Sequence, residues 1–188
     1  MPEDTFAPAA VEQFMWHWDG QLRPRLEGLA DDEYLYDPTA DGSAWTLHPA
    51  AQRRTAYQDG AGDLVVDFDL PGDGPAPFTT IAWRLAHVIV GVLAVRSHDH
   101  FDGPPASYGD WTYAATAAEA LEQLDREVAR WFDGVRGMDD QQMARPCGPA
   151  EGPWGERPYR DLVLHINREL IHHLAEVALL RDLHAHRG

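Results

Sequence analysis

The sequence predicts an all-α fold, a four-helix bundle with long irregular connections and at most one short strand. Three observations predict it. Apolar residues recur at three- and four-residue spacing in four separate stretches. The segments between them are rich in Pro, Gly and Asp, the residues of turns and loops. Only one of those segments has the β-branched, partly alternating composition of a strand. The 188 residues are expected to form a single domain, 1–188, large enough to bury its own core.

The first stretch places Val11, Phe14, Met15, Trp18, Leu22, Leu26 and Leu29 on one helical face. Pro24 lies inside it, and its ring crowds the carbonyl of Gly20, so a kink or break is expected there. The helix is expected to stop at Ala30-Asp31-Asp32. From Asp31 to Pro77 the periodicity dissolves, apart from the strand-like Asp63 to Leu70. So long a connection in a compact domain suggests a task, such as covering a pocket mouth. Trp45, Tyr34 and Tyr36 would suit a lid, although packing onto the bundle is the commoner use of such rings.

The second helix is expected to be capped at Thr79-Thr80 and to run to about Ser97. It is nearly all apolar, and His87 is the only ionisable residue between Arg84 and Arg96. A histidine there is either satisfied by one buried partner or a ligand, and Gly91, four residues on, leaves open space beside the imidazole. The following His98-Asp-His100 reads as part of an exposed turn because Gly and Pro follow it closely. The third helix has a capping box, Thr116 and Glu119, and a core face of Leu121, Leu124, Val128, Trp131 and Val135. Gly134 and Gly137 are expected to close it. The fourth helix should begin near Pro158 and end about Leu183.

Charge excludes several functions. The 31 acidic residues oppose 15 basic ones, every one of which is arginine, for a net charge of −16. That balance repels nucleic-acid phosphates and anionic lipid, so neither nucleic acid nor membrane is an expected partner. The lone Cys147 cannot form an internal disulfide, and the start of the chain lacks a leader pattern, so a reduced cytoplasm is the expected location. The absence of lysine, with much Ala, Gly, Pro and Asp, points to a GC-rich bacterial genome or to halophilic adaptation.

The fourth helix carries the chemistry. Glu169 and His173, four apart, project side by side and can reach one ion together, and His87 is the best donor for a third ligand. Two imidazoles and a carboxylate leave a coordination position open, as a catalytic metal site requires. Spacing alone leaves the register open: His165 with Glu169 and Glu169 with His172 are competing pairs. Glu176 lies one turn beyond His172 and His173, either as an acceptor orienting a ligand imidazole or as a solvated charge.

The run from Leu164 through His165, Glu169, His172, His173 and Glu176 to Leu183 resembles the last-helix signature of the DinB/YfiT-like superfamily. More narrowly, it is similar to the actinobacterial branch that includes mycothiol-dependent maleylpyruvate isomerases. Trp83 to Gly91, Leu22 to Leu26 and His100 to Gly103 resemble the same branch. Many other superfamily members have histidine where this chain has Glu169, and Arg-Gly-Gln where it has Leu174-Ala175-Glu176. The resemblance implies a bundle of up-down-down-up topology, a homodimer, and a metal held by His87, Glu169 and His173.

Two function classes follow. In the first, a divalent metal, zinc before nickel, serves an enzyme that uses a low-molecular-weight thiol such as mycothiol on a small-molecule electrophile, by S-transfer or thiol-assisted isomerisation; the same ligand set would also suit hydrolysis. In the second, the bundle is a non-enzymatic metal-binding or stress-related protein, which a fourth protein ligand from His165 or His172 would favour. No general base stands out, and Cys147, in a Pro-Gly turn, reads as an incidental thiol.

Overall fold

All four apolar stretches are helical in the computed structural model, which describes residues 5–39, 41–52, 54–55, 57–68 and 75–187. Helix α1 spans Phe6–His17. It starts earlier than the large apolar residues suggest because Ala7 and Ala10, small and buried, extend its inner face. The chain continues through a π-helical turn, Trp18–Leu22, and a 3-10 turn, Pro24–Leu26. Pro24 acts as expected: a residue that cannot donate starts a new turn instead of continuing the old one. A single helical turn, α2 (Asp31–Tyr34), follows.

The connection to the next helix corrects the expectation of at most one strand. Three short strands form an antiparallel sheet of order β1-β3-β2: β1 is Leu47–Pro49, β2 is Tyr57–Asp59 and β3 is Leu64–Phe68. Strand β3 is the anticipated one; residues 69 and 70 of that segment lie outside the described residues. Strands of three residues are too short for alternation to register, and Tyr57-Gln58-Asp59 carries no apolar face to announce itself. Trp45 ties this layer to the next helix, its N–H donating to the Phe78 carbonyl and its carbonyl accepting from Thr80 N–H, both at 2.9 Å.

Residues 81–101 form one helical stretch in three parts: α3 (Ile81–Ala86), a π-helical segment His87–Ala94, and α4 (Val95–Phe101). Thr80 caps it, accepting from Trp83 N–H at 3.2 Å. The stretch runs past Ser97 and ends at Asp102, whose φ of 53° is left-handed. His98 and His100 therefore lie on a helix, not in an exposed turn, and the His100 side chain is only 2 % exposed. It is held by Glu151 and Tyr159, each at 3.0 Å.

Helix α5 (Ala117–Arg136) is capped as expected at Thr116, which accepts from Glu119 N–H at 3.2 Å. The return half of the box differs, since Glu119 accepts from Ala115 N–H. Gly134 does not close this helix but lies within it, because the Phe101 ring occupies the space a side chain would need: an added Cβ would sit 2.3 Å from its Cγ. Short turns at α6 (Asp140–Met143) and Pro149–Trp154 lead to α7 (Tyr159–Ala185).

The core lies where α1 and the 81–101 stretch each pack on both α5 and α7. Phe14 stacks on Phe132 with centroids 4.5 Å apart, and Trp131, Leu85, Leu93, Leu124, Ile166 and Leu170 are fully buried. Each such side chain contributes about 1.5–3 kcal/mol of transfer free energy. The packing of 81–101 on α7 sets the two histidine-bearing helices side by side. Among the described residues, no helix is long and apolar enough to cross a membrane.

Candidate metal centre

His87 stands at the first residue of the π-helical segment, a distortion frequent at functional sites. Glu169 and His173 face it from α7. One ligand atom from each of the three falls within 4.8 Å of the others. The two imidazoles meet edge to face with centroids 4.7 Å apart, and His173 Nε2 lies 3.3 Å from Glu169 Oε2. Ligands about 2.1 Å from a tetrahedral ion stand about 3.4 Å apart, so this pair already has ligand spacing.

Each imidazole has its other nitrogen engaged. His87 Nδ1 is 2.8 Å from the Tyr108 hydroxyl, which leaves Nε2 as its remaining donor atom. The space that Gly91 opens is filled by this tyrosine: a Cβ at Gly91 would fall 2.1 Å from Tyr108 Oη. Trp83 stacks on the ring, 5.5 Å away at 14°, and itself donates from Nε1 to the Asp67 carbonyl at 2.8 Å. Burial, reinforced by His173 and Arg84, pushes the His87 pKa down to about 4. The ring is neutral at physiological pH and keeps a lone pair. Burial pushes Tyr108 up to about 12, so its hydroxyl stays protonated.

His173, buried on α7, donates from Nδ1 to Glu176 at 2.9 Å, and Glu176 is gripped by Arg84 Nε at 3.2 Å. Arg84 Nη1 also approaches His173 Nδ1, at 3.4 Å; the shorter contact to a carboxylate, which can only accept, takes the proton. Of the two roles open to Glu176 in the sequence, it takes that of the orienting acceptor.

The rival histidines stand elsewhere. His165 Nδ1 accepts from Arg168 at 2.6 Å and lies 3.5 Å from Glu169 Oε1. His172 is 62 % exposed and pairs with Glu176 at 3.5 Å. A second group, His172, His173 and Glu176, also has its atoms within 4.8 Å among the described residues, but its carboxylate is already committed to Arg84. The first group suits an ion better: two imidazoles, each with Nδ1 held by an oxygen partner, and one carboxylate form the mixed donor set of borderline divalent ions such as zinc and nickel.

Of the three rings considered for a lid, Trp45 alone reaches this region, 5.7 Å from Trp83. With Phe68, which lies 6.0 Å from Trp45 and 6.4 Å from Tyr108, it forms an aromatic wall beside His87. Tyr34 is core, donating to the Ala114 carbonyl, and Tyr36 packs against His184 near the end of α7. Cys147 is buried, its thiol donating to the Trp154 carbonyl at 3.4 Å and pushed up in pKa by burial. That environment keeps it protonated, in line with an incidental thiol.

A family model described as the DinB superfamily matches residues 13–177, which contain all three cluster residues. The chain belongs to the DinB superfamily. No curated protein and no solved structure matches it significantly. Several features of this DinB superfamily member were not foreseen in the sequence: Tyr108, Trp83 and Arg84 as supports for the two histidines. Gly91 was the signal for Tyr108. For Arg84, the signal is its position three residues before His87, hence on the same helical face.

Proposed function

We propose that this DinB superfamily member is a metal-dependent enzyme in which His87, Glu169 and His173 hold a divalent ion, zinc in preference to nickel. We infer further that its four helical stretches form one up-down-down-up bundle and a single domain. It would act in the cytoplasm, as a homodimer, within the mycothiol-using actinobacterial branch. The observation that carries the reading is the convergence of three donor atoms within 4.8 Å, with the second nitrogen of each imidazole already held. A structural ion would call for a fourth protein ligand; neither His165 nor His172 joins the group of His87, Glu169 and His173, which favours an open position and hence catalysis.

When bound, such an ion supplies Lewis acidity that lowers the pKa of a thiol or water in the open position. The protein's own residues do the rest. Tyr108 and Trp83 clamp the His87 ring from two sides, Arg84 and Glu176 orient His173, and Trp45 and Phe68 cover the approach with apolar surface. The co-substrate is a low-molecular-weight thiol and the substrate a small electrophile.

Elemental analysis of the untagged protein beside His87→Ala and His173→Ala tests the metal reading. Near-stoichiometric metal in the parent and its loss from both variants, with helix content unchanged, is the expected result. Thiol consumption with a small electrophile, dependent on the same residues, is then expected; water consumption without thiol dependence would redirect the reading to a hydrolase.

A further inference from the structure

Beside Glu169 lies a cavity of about 430 Å³ whose wall contains Arg96, Arg157, Arg168 and His165. Its volume is that of a small-molecule site. Three arginines in one wall are unexpected in a chain with twice as many acids as bases. The two carboxylates of the same wall, Glu151 and Asp161, offset them only in part.

Glu151 is spoken for. It accepts from His100 at 3.0 Å and lies 3.3 and 3.4 Å from Arg96, and these partners, His100 first, hold its carboxyl below the usual range. Arg96 also donates to the Gly91 carbonyl, so its guanidinium is anchored. Arg157 is different: its nearest acid, Asp161, is 3.9 Å away. Arg168 donates one N–H to His165 Nδ1 and lies 3.8 Å from Glu169, leaving donors free. Because Arg168 can only donate, His165 Nδ1 accepts, and the ring carries its proton on Nε2, a third donor. Leu162 and Trp154 supply an apolar side to the same cavity.

We propose that this cavity binds the carboxylate of a small acidic molecule, through the forks of Arg157 and Arg168 and the His165 ring. Planar guanidinium forks match a carboxylate in bidentate geometry. The carboxylates nearest Arg157 and Arg168, Asp161 and Glu169, stand beyond hydrogen-bond distance at 3.9 and 3.8 Å, so both forks can take a monoanionic group. His165 and Arg168 stand 3.5 and 3.8 Å from Glu169, so the anion site neighbours the candidate metal centre. The inference rests on the preceding reading only for which end reacts; the anion site itself stands on the arginines.

The test uses calorimetric titration of the full chain, both chelator-treated and zinc-loaded, with succinate, its uncharged diamide and inorganic phosphate as probes. Saturable succinate binding in both forms is expected, with none for the diamide and weaker binding for phosphate. Affinity should fall about tenfold or more in the double variant Arg157→Gln/Arg168→Gln and stay unchanged in Arg145→Gln, which lies in a different cavity wall. Arginine-dependent succinate binding by a protein that takes up no metal would sustain this proposal and sink the metal reading. Succinate binding that needs zinc and ignores the arginines would overturn it, as would phosphate binding as tightly as succinate or no saturable heat at millimolar succinate.

Discussion

Replacing Gly91 by alanine separates a site-building glycine from an ordinary helical one. In an unencumbered helix the change stabilises by about 0.5–1 kcal/mol, because glycine loses more backbone freedom on folding. Here the new Cβ would stand 2.1 Å from Tyr108 Oη and 2.9 Å from Cζ. The ring would have to retreat by roughly 1 Å to reach ordinary contact. Overpacking of that kind costs about 1–3 kcal/mol, and withdrawing the hydroxyl leaves the His87 nitrogen unpaired at a cost of about 1–3 kcal/mol more. A net destabilisation of about 1–5 kcal/mol is expected from these opposing effects. Zinc affinity should fall about 10- to 100-fold, as when a ligand's orienting partner is lost.

Urea unfolding followed by circular dichroism gives the first quantity, and competition with a chromophoric chelator the second. Tyr108→Phe alone should reproduce the affinity loss with a smaller stability loss. In the Tyr108→Phe background the 2.1 Å clash no longer exists, so Gly91→Ala should cost at least about 1 kcal/mol less than in the parent. A Gly91→Ala protein more stable than the parent with unchanged zinc affinity would refute the reasoning, as would strict additivity in the double variant.

Three further outcomes are expected. Stability should rise with pH between about 4 and 6.5, because His87, held down to about 4, stays neutral when folded while the unfolded ring takes up a proton below its ordinary 6.5. The contribution is at most about 3 kcal/mol. It is fully present above 6.5 and is lost as pH falls to 4; the slope over this window should flatten in His87→Ala, measured without metal by urea titration. Gly134→Ala should destabilise by about 1–3 kcal/mol, since its Cβ would meet the Phe101 ring; a rise in melting temperature would contradict this. Ser97→Ala should be neutral or stabilising by up to about 1 kcal/mol, because the buried Ser97 hydroxyl has no partner among the described residues, and a loss above that size in thermal unfolding would reveal one.

The helical stretches were legible because their apolar periodicity is long and their caps are local: Thr80 and Thr116 needed no knowledge of the rest of the chain. The three cluster residues were legible for a related reason. Glu169 and His173 share a face by spacing, and His87 is an ionisable group on an apolar helix. The small strands were not legible, since β1 and β2 are too short for a pattern and are held by pairing to β3. Tyr108 was not legible either, because it sits on a connection without periodicity, and its hydroxyl meets His87 only after the loop has returned across the π-helical segment. Gly134 misled for the opposite reason: a glycine near a helix end looks like a stop, whereas this one makes room for an aromatic ring from another helix.

The unequal support of the two histidines bears on what the site can hold. His87 has a neutral partner, the protonated Tyr108, in a largely buried setting. His173 has an anionic one, Glu176, whose charge is offset by Arg84 3.2 Å away. The supports therefore add almost no net charge, and Glu169 is the one carboxylate among the three proposed ligands. A divalent ion in such a set retains about one unit of positive charge, which favours an anionic group in the open position. The chain as a whole opposes this, since a net charge of −16 repels anions at long range. Screening confines that repulsion to about 10 Å at ordinary ionic strength, and at closer range Arg157 and Arg168, whose nearest carboxylates stand 3.9 and 3.8 Å away, offer the donors an anion needs. Anion capture by this protein should accordingly improve as salt screens the distant acids, up to the point where the arginines themselves are screened. A monotonic loss of succinate affinity from the lowest salt upward would show that the distant charge has no part in it.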